Sequence, residues 1–315
     1  MPKYWEHLAN EFGIDIATCK TFVPLPTSCV LEQSTPEKHE QAKKKGLKYL
    51  QLVGSLIYPA TMVKLELKHS LSLLGSHMHD YTEQHYAYAI HVLKYGVTTR
   101  HMGLIFTCGL DPHGINTIYG HADSNFVAPR STGGHTLMVN GAAFLNTAKK
   151  HPTIDTSSTM AELSELFYCA LDVAGIRNFM EEIGMRIKQP TLVYQDNQPC
   201  IKIIEGKKTC TSSVQKTMSI RTARVQEMVN EEQSLRVEWL DTLKLVSDIN
   251  TKILPRKQFE YLRNILNGYA LAMQKYPEWF EARKSESNIG WSGTYSQPDG
   301  TPSEEWENAF IAGLF

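Results

Sequence analysis

The spacing of apolar and polar positions changes character near residue 110. Upstream, residues 35–53, 65–74 and 82–95 have helical composition, and Tyr88, Val92 and Tyr95 share one predicted face with His85 and His91. A strand-like Leu104-Ile105-Phe106-Thr107 follows. Gly, Pro and Asn between Gly109 and Gly120 then separate two differently patterned regions. Downstream, residues 117–122, 135–139 and 142–146 read as strands joined by Gly-containing turns. From Thr159 to Ala174, Leu163, Leu166, Phe167, Ala170, Leu171 and Ala174 recur at helical spacing. Short strands are expected over 191–195 and 235–240, and helices over 199–205, 214–231 and 244–254. Three strands followed by strand and helix in alternation predict an α/β fold, a mixed five-stranded sheet with helices on both faces. From Gly268 onward the period is lost, and Trp279, Trp291 and Trp306 lie among Ser, Gly, Pro and Glu. A peripheral, partly disordered tail is expected there.

Composition narrows the class without choosing a function. With 42% hydrophobic and 21% charged residues, 315 residues can build one good-sized core and a smaller companion domain. A net charge of -1 argues against a wholly basic nucleic-acid coat but leaves room for a local basic surface. The six cysteines are far apart with no Cys-x-x-Cys pair, as expected of reduced thiols inside a cell. His77, His79, His85 and His91 have no cysteines nearby, which makes zinc a poor reading. No window approaches the roughly 20 apolar residues of a membrane span, so a soluble, intracellular protein without a membrane partner is expected.

Candidate chemistry centres on four acids. Asp123 follows a predicted strand, Glu162 opens a helix, Asp196 ends another strand, and Asp248 sits in a predicted late helix. Acids so placed can converge over a sheet, where like charges are costly unless divalent cations compensate them. Each also has a structural explanation. Thr159 to Glu162 fits a capping box, Asp196 could N-cap the next helix, Asp123-Ser124-Asn125 could be a turn, and Asp248 could lie on a solvated face.

The run of motifs around these acids resembles the end of copia-type long-terminal-repeat retrotransposon polyproteins. The family's G-Y-S-D-A-D-W-A and R-S-T-S-G-Y stand here as Gly120 to Val127 and Arg130-Ser131-Thr132-Gly133-Gly134-His135. Its S-S-T-E-A-E-Y is Ser157 to Leu163, its C-D-N-Q-S-A is Gln195 to Cys200, and its L-A-D-I-F-T-K-P-L-P is Val246 to Pro255. Upstream, L-V-G-S-L-M-Y-L-A corresponds to Leu52 to Ala60. The resemblance implies a ribonuclease H-like domain over 111–267 after a reverse-transcriptase thumb or connection region over 1–110, with a tail over 268–315. It further implies a metal-dependent endonuclease that cuts the RNA strand of RNA/DNA hybrids. Asp123, Glu162, Asp196 and Asp248 would hold two magnesium ions, with manganese as a substitute. The remainder of the Pol polyprotein would be a partner, and the setting a cytoplasmic virus-like particle or the nucleus. The chain has no Asp-Asp dipeptide, so the polymerase's Y-x-D-D signature is absent.

Several positions depart from the family pattern. T-R-P-D-I becomes Val63-Lys64-Leu65-Glu66-Leu67, K-H-I-D-I-R-Y-H becomes Lys216 to Ala223 without either histidine, and T-E-D-Q becomes Thr242-Leu243-Lys244-Leu245. The alternative expectation is therefore a catalytically silent fragment that keeps the fold and nucleic-acid binding. Between Lys202 and Arg224, six basic residues (Lys202, Lys207, Lys208, Lys216, Arg221, Arg224) face one acid, Glu205. That stretch suits a phosphate backbone or, equally, a solvated helix face.

Overall fold

The computed structural model describes residues 1–127, 129–206 and 216–278, the side chains of 216–219 excepted. Its contacts divide the described residues into two units, residues 107–252 and residues 1–106 together with residues 253–278. The break falls close to the Gly-rich stretch, but the residues after Lys252 return to the first unit instead of continuing the second to 267.

The first unit is helical: α1 (Pro2–Glu11), α2 (Pro36–Lys44), α3 (Tyr49–Met62), α4 (Lys68–Gly75) and α5 (Glu83–Thr98). The expected single helix over 35–53 is two, because Gly46 adopts a φ of 67° and ends the first. Helix α5 starts on a capping box in which Thr82 and His85 satisfy each other's backbone, so His85 is spent on capping. Leu104 to Thr107 form no strand. Later in the chain, α9 (Arg256–Leu266) and α10 (Tyr269–Lys275) belong to this unit. Tyr269 and Ala272 of α10 pack with Met102, so the tail begins as a docked helix and not as a loose extension. Trp279, Trp291 and Trp306 lie outside the described residues.

The second unit is built on a six-stranded mixed sheet with path order β3-β2-β1-β5-β6 and a two-residue β4 paired with β2. β1 (Ile118–Asn125) pairs antiparallel with β2 (Thr132–Val139), which pairs antiparallel with β3 (Ala142–Asn146) and β4 (Lys149–Lys150). β5 (Thr191–Gln195) runs parallel to β1, and β6 (Leu235–Trp239) parallel to β5. α6 (Ser158–Glu182), α7 (Gln198–Ile204) and α8 (Lys216–Asn230) share one core with the sheet, including Ala122, Leu137, Leu163, Leu166, Val193, Val225 and Leu235. Each fully buried Leu or Val here contributes about 1.5–3 kcal/mol relative to exposure.

Alternation along β1 sets what each face carries. Ala122, Ser124 and their partners His135 and Gly133 look toward α6, whereas Asp123 and its partner Gly134 look toward the opposite face. There lies a 3-10 turn, Val246–Asn250. The helix expected over 244–254 is instead this turn and a second one at Thr242–Lys244, with extended Leu245 between them. Its residues cannot continue a helix because Asn250 is committed to the sheet, exchanging hydrogen bonds with Asn146 and donating to Thr136 Oγ1.

Candidate metal centre

Strand β1 continues three residues past its expected end, because Asp123, Ser124 and Asn125 pair with Gly134, Gly133 and Thr132 and form no turn. Asp123 is thereby 1% exposed inside a central strand. Asp196 follows the last residue of β5, and Asp248 sits in the 3-10 turn, 4% exposed. An oxygen from each of Asp123, Asp196 and Asp248 lies within 4.8 Å of the others. Among the described residues this is the one group of three or more His, Cys, Asp or Glu side chains so placed.

Glu162 is not a member of that group. It is buried in the second turn of α6, where its Oε2 accepts a 3.1 Å hydrogen bond from Gln195 Nε2. Burial raises its carboxyl well above the ordinary range, and the charges of Asp123 and Asp196 raise it further. Burial likewise raises Asp123, and pushes Asp248 up to about 7 with help from Asp123.

None of the structural explanations for these acids holds. Ser157 and not Thr159 caps α6, accepting from Met160 N, and Asn197 and not Asp196 caps α7, accepting from Cys200 N. Asp248 is buried instead of solvated.

Four further residues position the acids. Fully buried Gln195 accepts from the backbone N–H groups of Asp196 and Asn197 at 2.8 and 3.2 Å while donating to Glu162, linking two acids through one amide. Thr242 Oγ1 donates to Asp196 Oδ2 at 2.7 Å, and Trp239 Nε1 to the Asp196 carbonyl at 3.1 Å. Thr251 Oγ1 donates to Asp123 Oδ2. Gln195 stands where the resembling family writes Cys, so the motif comparison gave no signal for it. Lys252 is a fifth: its Nζ is 2.7 Å from Asp248 Oδ1 and 3.5 Å from Asp123 Oδ2.

An all-oxygen set from buried, mutually repelling carboxylates fits magnesium or manganese, which prefer hard oxygen ligands. Cysteine and histidine are missing from the cluster, so it does not fit structural zinc.

The basic stretch is divided in its fate. Lys202 is exposed on α7, Lys207 and Lys208 lie outside the described residues, and Lys216 begins α8. Arg221 lies over the rings of Phe167 and Tyr168, and Arg224 pairs with Glu227 and Glu232.

Relatives of the chain include retrovirus-related Pol polyproteins of plant transposons. It is 25% identical to that of transposon TNT 1-94 from Nicotiana tabacum over 273 residues, 84% of this chain and 20% of the polyprotein. It is 25% identical to that of transposon RE1 from Arabidopsis thaliana over 222 residues, 67% of this chain and 14% of the polyprotein. The chain thus spans a fifth or less of these relatives. Similar solved structures include the N-terminal RNase H domain of a Mycobacterium tuberculosis protein, with a TM-score of 0.33 and 10% identity, covering 43% of this chain and 90% of that one. No family model matches the chain. Among the described residues no helix is long and apolar enough to cross a membrane.

Proposed function

We propose that this chain is a metal-dependent endonuclease that hydrolyses the RNA strand of RNA/DNA hybrids, as the ribonuclease H part of a retrotransposon Pol polyprotein. The observation that carries this reading is the meeting of Asp123, Asp196 and Asp248 within 4.8 Å, from three separate segments whose motifs follow the resembling family's order. Asp123, Asp196 and Asp248 offer the first oxygens for magnesium, and Glu162 completes the set. Bound there, two magnesium ions would lower the pKa of an attacking water and stabilise the departing oxygen. The protein's own part is orientation: Gln195 and Thr242 fix Asp196, Gln195 also holds Glu162, and Thr251 holds Asp123. RNA is told from DNA through its 2′-hydroxyl groups. The phosphate backbone is held by Lys202, Lys207, Lys208, Lys216 and Arg221. Arg224 contributes least, its charge being answered by Glu227 and Glu232.

Hybrid cleavage with magnesium tests the assignment. Asp196→Asn, which keeps the shape but removes the charge, is expected to lower the cleavage rate by on the order of 10²-fold or more. An unchanged rate would remove Asp196 from the site.

A second reading is a silent fragment that keeps the fold and binds hybrids without cutting them. The observation favouring it is the loss of the family's T-E-D-Q acids in Thr242-Leu243-Lys244-Leu245, a stretch that touches the cluster through Thr242 and Asp196. Calorimetry separates the two, since a silent fragment takes up hybrid but no magnesium.

A further inference from the structure

Lys252 is held in place by the same turn that carries Asp248. Its backbone N–H donates to the Asp248 carbonyl at 3.1 Å, and the preceding Thr251 N–H does so at 3.2 Å. That geometry returns the side chain, four residues on, over the carboxylate of Asp248. Nζ then stands 2.7 Å from Asp248 Oδ1 and 3.5 Å from Asp123 Oδ2, two of the three carboxylates that converge. Asp248 is 6% and Asp123 2% exposed in their side chains, so neither can turn to solvent for neutralisation. The lysine side chain is 33% exposed, and its flexible four-carbon stem can swing outward.

We infer that Lys252 is the built-in counter-cation of the acid cluster, occupying a metal's share of the carboxylate oxygens until a divalent ion displaces it. The inference rests on the proposed metal centre and adds to it a residue that sets metal affinity. Without metal, three crowded carboxylates need a positive charge, and Lys252 supplies it from within the chain. When a divalent ion enters, the ammonium must give up Asp248 and Asp123, because one lone-pair direction cannot serve both and the two cations repel. Binding is therefore an exchange of cations, with affinity lower than the carboxylates alone would give.

The full chain titrated calorimetrically with manganese chloride and with magnesium chloride tests this. Lys252→Met is expected to bind manganese about tenfold or more tightly than the unaltered protein, and to melt at lower temperature without metal. Lys252→Arg, which keeps the charge, should stay near the unaltered affinity. A measurement needing no variant guards against misfolding. Acylation of Lys252 by a water-soluble N-hydroxysuccinimide ester, followed by peptide mass spectrometry, should speed up when saturating magnesium frees the amine. Equal metal affinity in Lys252→Met and the unaltered protein, or acylation that metal does not accelerate, overturns the inference while the metal centre stands. Absence of metal uptake by both proteins overturns the metal centre itself, and the inference with it.

Discussion

Lys64 and Glu66 show how a departure from a sequence pattern can preserve its physics. Where the resembling family writes Arg-Pro-Asp, this chain has Lys64-Leu65-Glu66, and the proline is lost but the order of charges is kept. Both side chains are fully buried, 3.6 Å apart. Lys64 Nζ also donates to the Thr99 carbonyl and hydroxyl at 2.6 and 2.9 Å, and Tyr95 donates to Glu66 at 3.0 Å. Removing one member of such a pair strands the other in a medium that cannot solvate it. Glu66→Ala should therefore destabilise the helical unit by about 3–5 kcal/mol in denaturant unfolding. Lys64→Met combined with Glu66→Ala should recover part of that loss, the rest staying with buried Arg263 and Asn267, which also face Glu66, and equal losses for the single and double variants would contradict a paired role. Nothing in the residue types marked this pair as buried, because lone charges between Val63 and Leu67 read equally well as a helix surface. Asp123, Asp196 and Asp248, which the fold brings together, stand out in the sequence for a different reason, since the motifs around them follow the resembling family's order; Gln195 does not, having no counterpart in the motif.

At the scale of elements, two adjacent glycines do opposite jobs on the two faces of β2. A Cβ on Gly134 would overlap Asn250 Cβ and crowd the Thr147 carbonyl, so the 3-10 turn bearing Asp248 packs against bare backbone. A Cβ on Gly133 would overlap Glu165 Oε2 and His151 Nε2, so the same strand leaves room for a buried ion network on the α6 face. The family's Ser and Tyr beside that shared glycine are Gly133 and His135 here, and both substitutions feed this network. Gly134→Ala should cost about 1–3 kcal/mol through overpacking and weaken manganese uptake by moving Asp248. Gly175→Ala in α6, where an added Cβ meets nothing within 4 Å, is the control and should be neutral or slightly stabilising. Metal affinity unchanged in Gly134→Ala would show that the turn does not depend on that contact. Element types were readable where period and length agreed, as for β5 and α6. The sequence predicts a helix across the turn at Val246–Asn250 because its apolar spacing is helical, whereas Ser247, Asp248 and Asn250 are buried for polar reasons. No hydrophobic pattern records that.

For the molecule as a whole, two buried ionic groupings in the sheet unit make stability fall away on both sides of a mildly acidic optimum. His135 is bonded to Glu165 at 2.6 Å and Asp172 at 2.8 Å, and His151 to Asp155 at 2.8 Å and Glu165 at 3.0 Å. Burial opposes the charge on both imidazoles, but the carboxylates outweigh it and hold them at about 9. An imidazole of ordinary pKa about 6.5 raised this far stabilises the fold fully below that pH, and the contribution disappears as pH rises through about 9. Glu165, Asp155 and Asp172 are held below their usual range, so their share is present above about pH 4 and is lost on further acidification. The acid cluster adds to the alkaline side. Asp123 and Glu162 are raised, and Asp248 stands at about 7, so ionising them as pH climbs favours the unfolded chain. Without metal, the thermal midpoint of the full chain should peak on the acid side of neutrality and fall steadily to pH 9.5. Magnesium should lift the part of the fall due to the acids, and His151→Gln should flatten the part above about pH 6.5. A midpoint level between pH 6 and 9.5 in chelator would mean that these buried charges do not govern the fold.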